Sequence, residues 1–171
     1  MKDISKLWAS IALLSTGMAA VALFYQYALG TAPCVLCVHA RIWTVGLIVV
    51  AVLGLALRRV LWLQPVLGIT ALGFSVGLGE TAYSLLATER GWGFGSCNFD
   101  AGLPSWFALD EWFPAVFMPL EPCGYTPELL FGVTMAEGLM ATAVILGILG
   151  VIKLGRSVVE LIVDARTAQA A

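Results

Sequence analysis

Cys34-Val35-Leu36-Cys37 is the stretch of this chain best suited to chemistry. A C-x-x-C spacing on a helix puts two sulfurs on one face, one turn apart. Pro33 suits a first helical position, because the N–H that proline lacks is not needed there. Cys34 is then expected in the first turn, where the partial positive charge of the helix N-terminus favours a thiolate. The thiolate is the species that attacks disulfides and hands on electrons. Arg41 follows four residues after Cys37 and seven after Cys34, so the three share a face. Its cation can stabilise a thiolate or a reduced electron acceptor; the plain alternative is an arginine that snorkels to the interface. Cys97 and Cys123 complete a set of four cysteines. Together with the C-x-x-C they would also satisfy the four ligands of a zinc site, or form structural disulfides.

Three other polar residues stand in apolar surroundings. Glu80 is expected roughly 10 Å deep, seven residues before the outer end of its segment at 1.5 Å per residue. Arg41 lies at a similar depth, so the two are expected to pair or to share the pocket of an electron acceptor. The plain alternative is a protonated, packed carboxyl. Glu137 is deeper with no evident basic partner, and is read as structural. His39, the one histidine, is two residues from Cys37 and is expected to point away from the Cys37–Arg41 face, as an interfacial residue.

The elements that must hold these residues are membrane spans. Of 171 residues, 60% are hydrophobic and 12% charged, and mean hydropathy is +0.94. Soluble domains are about 45–50% apolar and about 25% charged, so lipid must be the main solvent here. The few scattered basic residues exclude a nucleic-acid role. A span needs roughly 20 apolar residues, and four segments qualify: about 7–29, 33–57, 61–87 and 129–152. The fold expected is an all-α, four-helix antiparallel bundle in one domain over 1–171, with a long loop at 88–128 and a tail at 153–171. Gly73 and Gly77 form a G-x-x-x-G that permits close helix packing.

Lysine and arginine set the orientation. Lys2, Lys6, Arg58, Arg59, Lys153, Arg156 and Arg166 fall on one side of a four-span chain; Arg41 and Arg90 fall on the other. Both termini are therefore expected in the cytoplasm, and all four cysteines on the opposite, oxidising face, where disulfides are the natural state. The outer loop is rich in aromatic residues. Trp106, Phe107, Trp112, Phe113 and Phe117 are suited to the headgroup level, and Pro114 limits any helix there to a few turns.

Three pieces of text then resemble one family, the disulfide-bond formation protein B (DsbB) family. They are Pro33-Cys34-Val35-Leu36-Cys37 with Arg41; Cys97-Asn98-Phe99; and the run from Pro104 through Trp106, Leu109, Asp110, Trp112, Pro114 and Phe117 to Cys123. The resemblance covers nearly the whole chain. It implies a protein-disulfide oxidoreductase of the bacterial inner membrane, a quinone-reducing thiol oxidase. It further implies redox disulfides Cys34–Cys37 and Cys97–Cys123, with Cys97 joining a periplasmic, thioredoxin-fold DsbA-type partner. Cys37 would face ubiquinone or menaquinone with Arg41 in support and Glu80 or Ser84 nearby. Ala40 departs from the family, which often has a polar or acidic residue before the arginine. A vitamin-K-epoxide-reductase-like enzyme would carry its C-x-x-C in a later span, and a membrane scaffold would use its disulfides only as braces.

Overall fold

The computed structural model describes residues 2–92, 101–123, 126–129 and 132–169. Four long helices dominate: α1 (Lys2–Ala28), α2 (Val35–Ala56), α3 (Leu63–Glu89) and, after three short turns, α6 (Met135–Gln169). Each is long and apolar enough to cross a membrane. The turns between α3 and α6 are a 3₁₀ turn (Ser105–Phe107), α4 (Leu109–Trp112) and α5 (Pro114–Phe117). Pro114 ends one short helix and opens the next, as its fixed φ and missing N–H require. Among the described residues there is no strand, only the isolated bridges Cys34–Glu121 and Glu128–Thr134.

The bundle is filled by Ile11, Leu47, Leu78 and Leu146 with small residues between them: Ala51, Ala71, Ala82 and Ala143. Small residues let helix backbones approach closely where lipid offers no hydrophobic drive to association. Of the predicted glycine pair, Gly77 serves this purpose, since a Cβ there would lie 2.8 Å from the Trp43 indole. Gly73 has open space before it and packs nothing. Large apolar side chains such as Leu13, Val76, Ile148 and Val151 point outward.

Helix ends differ from the expected spans in informative ways. α6 starts at Met135 rather than near 129, because Gly132 takes φ +77 and a capping box forms behind it. The Thr134 hydroxyl accepts from Glu137 N–H at 3.3 Å, and a Glu137 carboxylate oxygen accepts from Thr134 N–H at 3.3 Å. Glu137 is therefore at the helix start, not deep, and it does have a basic partner: Arg90 lies 2.8 Å away. The tail expected at 153–171 is a continuation of α6 as far as Gln169.

Lys153 is the clearest departure at this end. It is fully buried, donates to the Ser157 hydroxyl at 2.6 Å and lies 4.8 Å over the Trp8 ring. Trp8 Nε1–H in turn donates to Gln64 at 2.8 Å, and the Gln64 amide donates to the Leu57 carbonyl at 3.0 Å. This polar knot joins all four long helices. Gly54 completes it, for a Cβ there would sit 2.3 Å from the Trp8 indole.

Candidate redox site

Cys34 is the N-cap of α2 and not a residue of its first turn. Its backbone is extended (φ −85, ψ 170), and its sulfur accepts from Cys37 N–H at 3.3 Å. The cause is tertiary. The chain at Pro33 pairs with the outer loop, where Leu120 N–H donates to the Pro33 carbonyl at 2.9 Å and Glu121 bridges to Cys34. Pro33 thus stands outside the helix. The two sulfurs lie 2.6 Å apart as free thiols. The hydrogen bond with Cys37 and then burial push the Cys34 thiol up, so Cys34 holds its proton. The expectation of a thiolate on Cys34 is corrected on that ground.

Cys123 is disulfide-bonded. It packs, with Cys37 and Leu86, against the buried cluster of Cys34, Leu85 and Ala136. Three of the four predicted cysteines are therefore brought together at one end of the bundle. Cys97 lies outside the described residues, as do Asn98 and Phe99.

Arg41 sits one turn below Cys37, as its spacing requires. Its guanidinium donates to the Gln26 side-chain oxygen at 2.6 Å and to the Val116 carbonyl. Its Nε is buried and has no hydrogen-bond partner among the described residues. Glu80 is not there. On α3 the buried positions are Leu78, Thr81, Ala82 and Leu85, so the 3.6-residue period turns Glu80 outward, and it is exposed. The expected Arg41–Glu80 pair and the placement of Glu80 by an acceptor pocket are both corrected: depth matched, but face did not. Ser84 is likewise exposed and bonds only its own helix, donating to the Glu80 carbonyl at 2.9 Å.

Cys37 and Arg41 line one wall of an apolar cavity, with Met18, Tyr25, Thr44 and Leu139 among the others. Val116 of α5 closes part of it. α5 is anchored there by its own unsatisfied carbonyls, which a four-residue helix cannot pair internally. The Ala115 carbonyl accepts from the Gln26 amide at 2.9 Å and from the Tyr27 hydroxyl at 2.6 Å. Of the loop aromatics, Trp106, Trp112 and Phe113 are exposed, while Phe117 is turned in.

Sequence reasoning missed Gln26 and Tyr27. The available signal was one amide in the otherwise apolar run before Leu29. It also undervalued His39. That ring does more than sit at an interface: its Nε2 lies 2.8 Å from the Ala101 carbonyl, which can only accept, so Nε2–H donates and holds the outer segment to α2.

The family model for the disulfide bond formation protein DsbB matches residues 5–152. The chain belongs to the DsbB family. It is similar to disulfide bond formation protein B of Shewanella frigidimarina, 32% identical over 149 residues, covering 86% of this chain and 88% of that one. It is also similar to disulfide bond formation protein B 2 of Pseudomonas aeruginosa, 34% identical over 131 residues, covering 75% of this chain and 78% of that one. Family membership and four span-length apolar helices make this a multi-pass membrane oxidoreductase of disulfide bond formation.

Proposed function

We propose that this protein reoxidises a periplasmic DsbA-type thiol oxidant and passes the two electrons to a membrane quinone. The observation that carries the reading is the shared cavity: Cys37 and the Arg41 cation line it together, among apolar walls. Such a wall suits a flat, lipophilic molecule with hydrogen-bond-accepting oxygens, which fits ubiquinone or menaquinone. When bound, the quinone supplies an acceptor for two electrons and two protons, at a potential that thiol couples do not reach.

The protein's own steps are thiol–disulfide exchanges. A partner thiolate attacks Cys97 in a Cys97–Cys123 disulfide, and Cys123 leaves as thiolate. The second partner thiol then resolves the mixed disulfide, releasing oxidised partner and two reduced loop cysteines. Cys123 attacks Cys34 of a Cys34–Cys37 disulfide, and Cys37 leaves as thiolate one turn above the Arg41 cation. Cys97 closes back on Cys123, which leaves Cys34 and Cys37 as a dithiol. Cys34 keeps a proton at its Sγ, so Cys37 is the sulfur left to carry charge toward the cavity. The bias of the basic residues supports termini in the cytoplasm and this chemistry in the periplasm of a bacterial inner membrane.

Purified protein given reduced DsbA-type partner and ubiquinone tests the reading, with quinone absorbance as the signal. Wild-type protein is expected to consume quinone, and Cys37→Ser to abolish turnover, at least a hundredfold. A reduced partner that lacks its second, resolving cysteine is expected to accumulate as a mixed disulfide on Cys97 of otherwise wild-type protein on non-reducing gels, with Cys123 released as a thiol. Quinone that persists with wild-type protein, or a single-cysteine partner that is never trapped on Cys97, contradicts it.

A further inference from the structure

Gln26 is absent from the cavity wall, yet it touches the one cation that lines it. Its side-chain oxygen accepts from the Arg41 guanidinium at 2.6 Å, and its side-chain nitrogen donates to the Ala115 carbonyl at 2.9 Å. Arg41 reaches the next carbonyl along, that of Val116. A closed ring of bonds therefore links α1, α2 and α5. An amide is the neutral side chain that can do both jobs at once, offering an acceptor to a cation and a donor to a carbonyl. Bonds to an ionised partner are stronger and more directional than neutral ones. Two restraints on one end of the guanidinium, from Gln26 and Val116, fix its plane at the cavity wall.

We propose that Gln26 is a positioning residue for quinone use: it sets the orientation of Arg41 and makes that orientation depend on α5 being docked. This rests on the quinone reading above. Without Gln26 the guanidinium keeps the Val116 carbonyl as its described partner and swings about it, and the cation no longer meets a ligand in a fixed place. When α5 lifts away, Gln26 loses Ala115 and Arg41 loses Val116 together, so the cavity loses its ordered cation at the moment its cover departs. Tyr27 supplies the internal control. Its hydroxyl binds the same Ala115 carbonyl at 2.6 Å but makes no hydrogen bond to Arg41.

The test is equilibrium binding of a short-chain ubiquinone to the full-length protein in detergent, read by tryptophan fluorescence quenching, alongside turnover with reduced partner. In Gln26→Leu the dissociation constant should rise about tenfold, the scale of one lost charge-assisted bond. The rate of mixed-disulfide formation with the partner should stay at the wild-type value. Gln26→Glu keeps an acceptor for Arg41 but sets a carboxylate against the Ala115 carbonyl, so it should bind more weakly than wild type, and Tyr27→Phe should bind within about twofold of wild type. Wild-type affinity in Gln26→Leu overturns the proposal. So does a Tyr27→Phe protein as weak as Gln26→Leu, because α5 docking alone would then explain the loss. If Gln26→Leu does not fold, Gln26→Asn takes its place, since the shorter arm cannot span Arg41 and Ala115 together; wild-type affinity in that protein overturns the idea equally. A wild-type protein that binds no quinone is a different result, and it removes the quinone reading itself.

Discussion

Cys34 and Cys37 are three residues apart but live in different electrostatic settings. Cys34 caps the helix, is buried, and has its thiol pushed up by its bond to Cys37 and by desolvation. An acid raised on folding is held neutral by the fold. Its contribution to stability is whole below the unfolded thiol value of about 8.5 and is lost progressively as pH rises beyond it. Reduced wild-type protein in detergent should therefore lose thermal stability from pH 8.5 to 10, and Cys34→Ala should show a shallower decline. Parallel melting curves across that range check this. Cys37 and Arg41 were legible from sequence because a four-residue spacing within α2 puts them on one face. Glu80 was misread because depth is a sum of residues, whereas the face it turns to depends on which side of α3 meets the bundle. Gln26 showed only as a lone amide, because its role exists only once a loop eighty-nine residues away comes back to it.

The elements follow the apolar runs, and their ends follow local chemistry. α6 begins where Thr134 and Glu137 cap one another. Removing such a cap costs about 1 kcal/mol, so Thr134→Ala should lower the melting temperature measurably. Glu137→Gln should have a smaller effect. Glutamine still serves in a capping box, and the ion pair it gives up, with Arg90, is more than a third exposed on both sides and contributes little after solvent screening. Melting the two variants in one detergent decides this, and an equal loss would mean that the ion pair matters more than the cap. Hydropathy counting placed this helix start six residues early, since Leu129 and Val133 are as apolar as a span, and it could not see that Gly132 turns the chain.

The whole molecule was legible in outline: four spans, a long third connection, and chemistry gathered at one end. The orientation read from sequence rests on basic residues, and one of them, Lys153, is buried inside the bundle. The remaining flanking charges keep the same bias. In intact cells, after reduction, a membrane-impermeant thiol reagent applied from outside should reach Cys97 and Cys123. A cysteine placed at Ala168 should be labelled only after lysis. Labelling of the Ala168 position in intact cells would reverse the proposed topology.

The Tyr25 hydroxyl bonds the carbonyls of Glu128 and Leu129 at 3.1 and 3.2 Å. Around the mouth of the bundle, the other side-chain bonds described between long helices run within two couples: α1 with α2 through Gln26 and Arg41, and α3 with α6 through Arg90 and Glu137. Deeper in, the couples are stitched together by Thr142 to Met18 and by Trp43 to Thr81, and finally at the far knot. The molecule is thus built like a pair of tongs with its pivot inside and a phenol as the clasp. Parting the jaws would give up that clasp, about 1 kcal/mol per bond, and with it the packing of Cys34, Leu85 and Ala136 against Cys37 and Leu86, so buried apolar surface holds the grip more firmly than the clasp does.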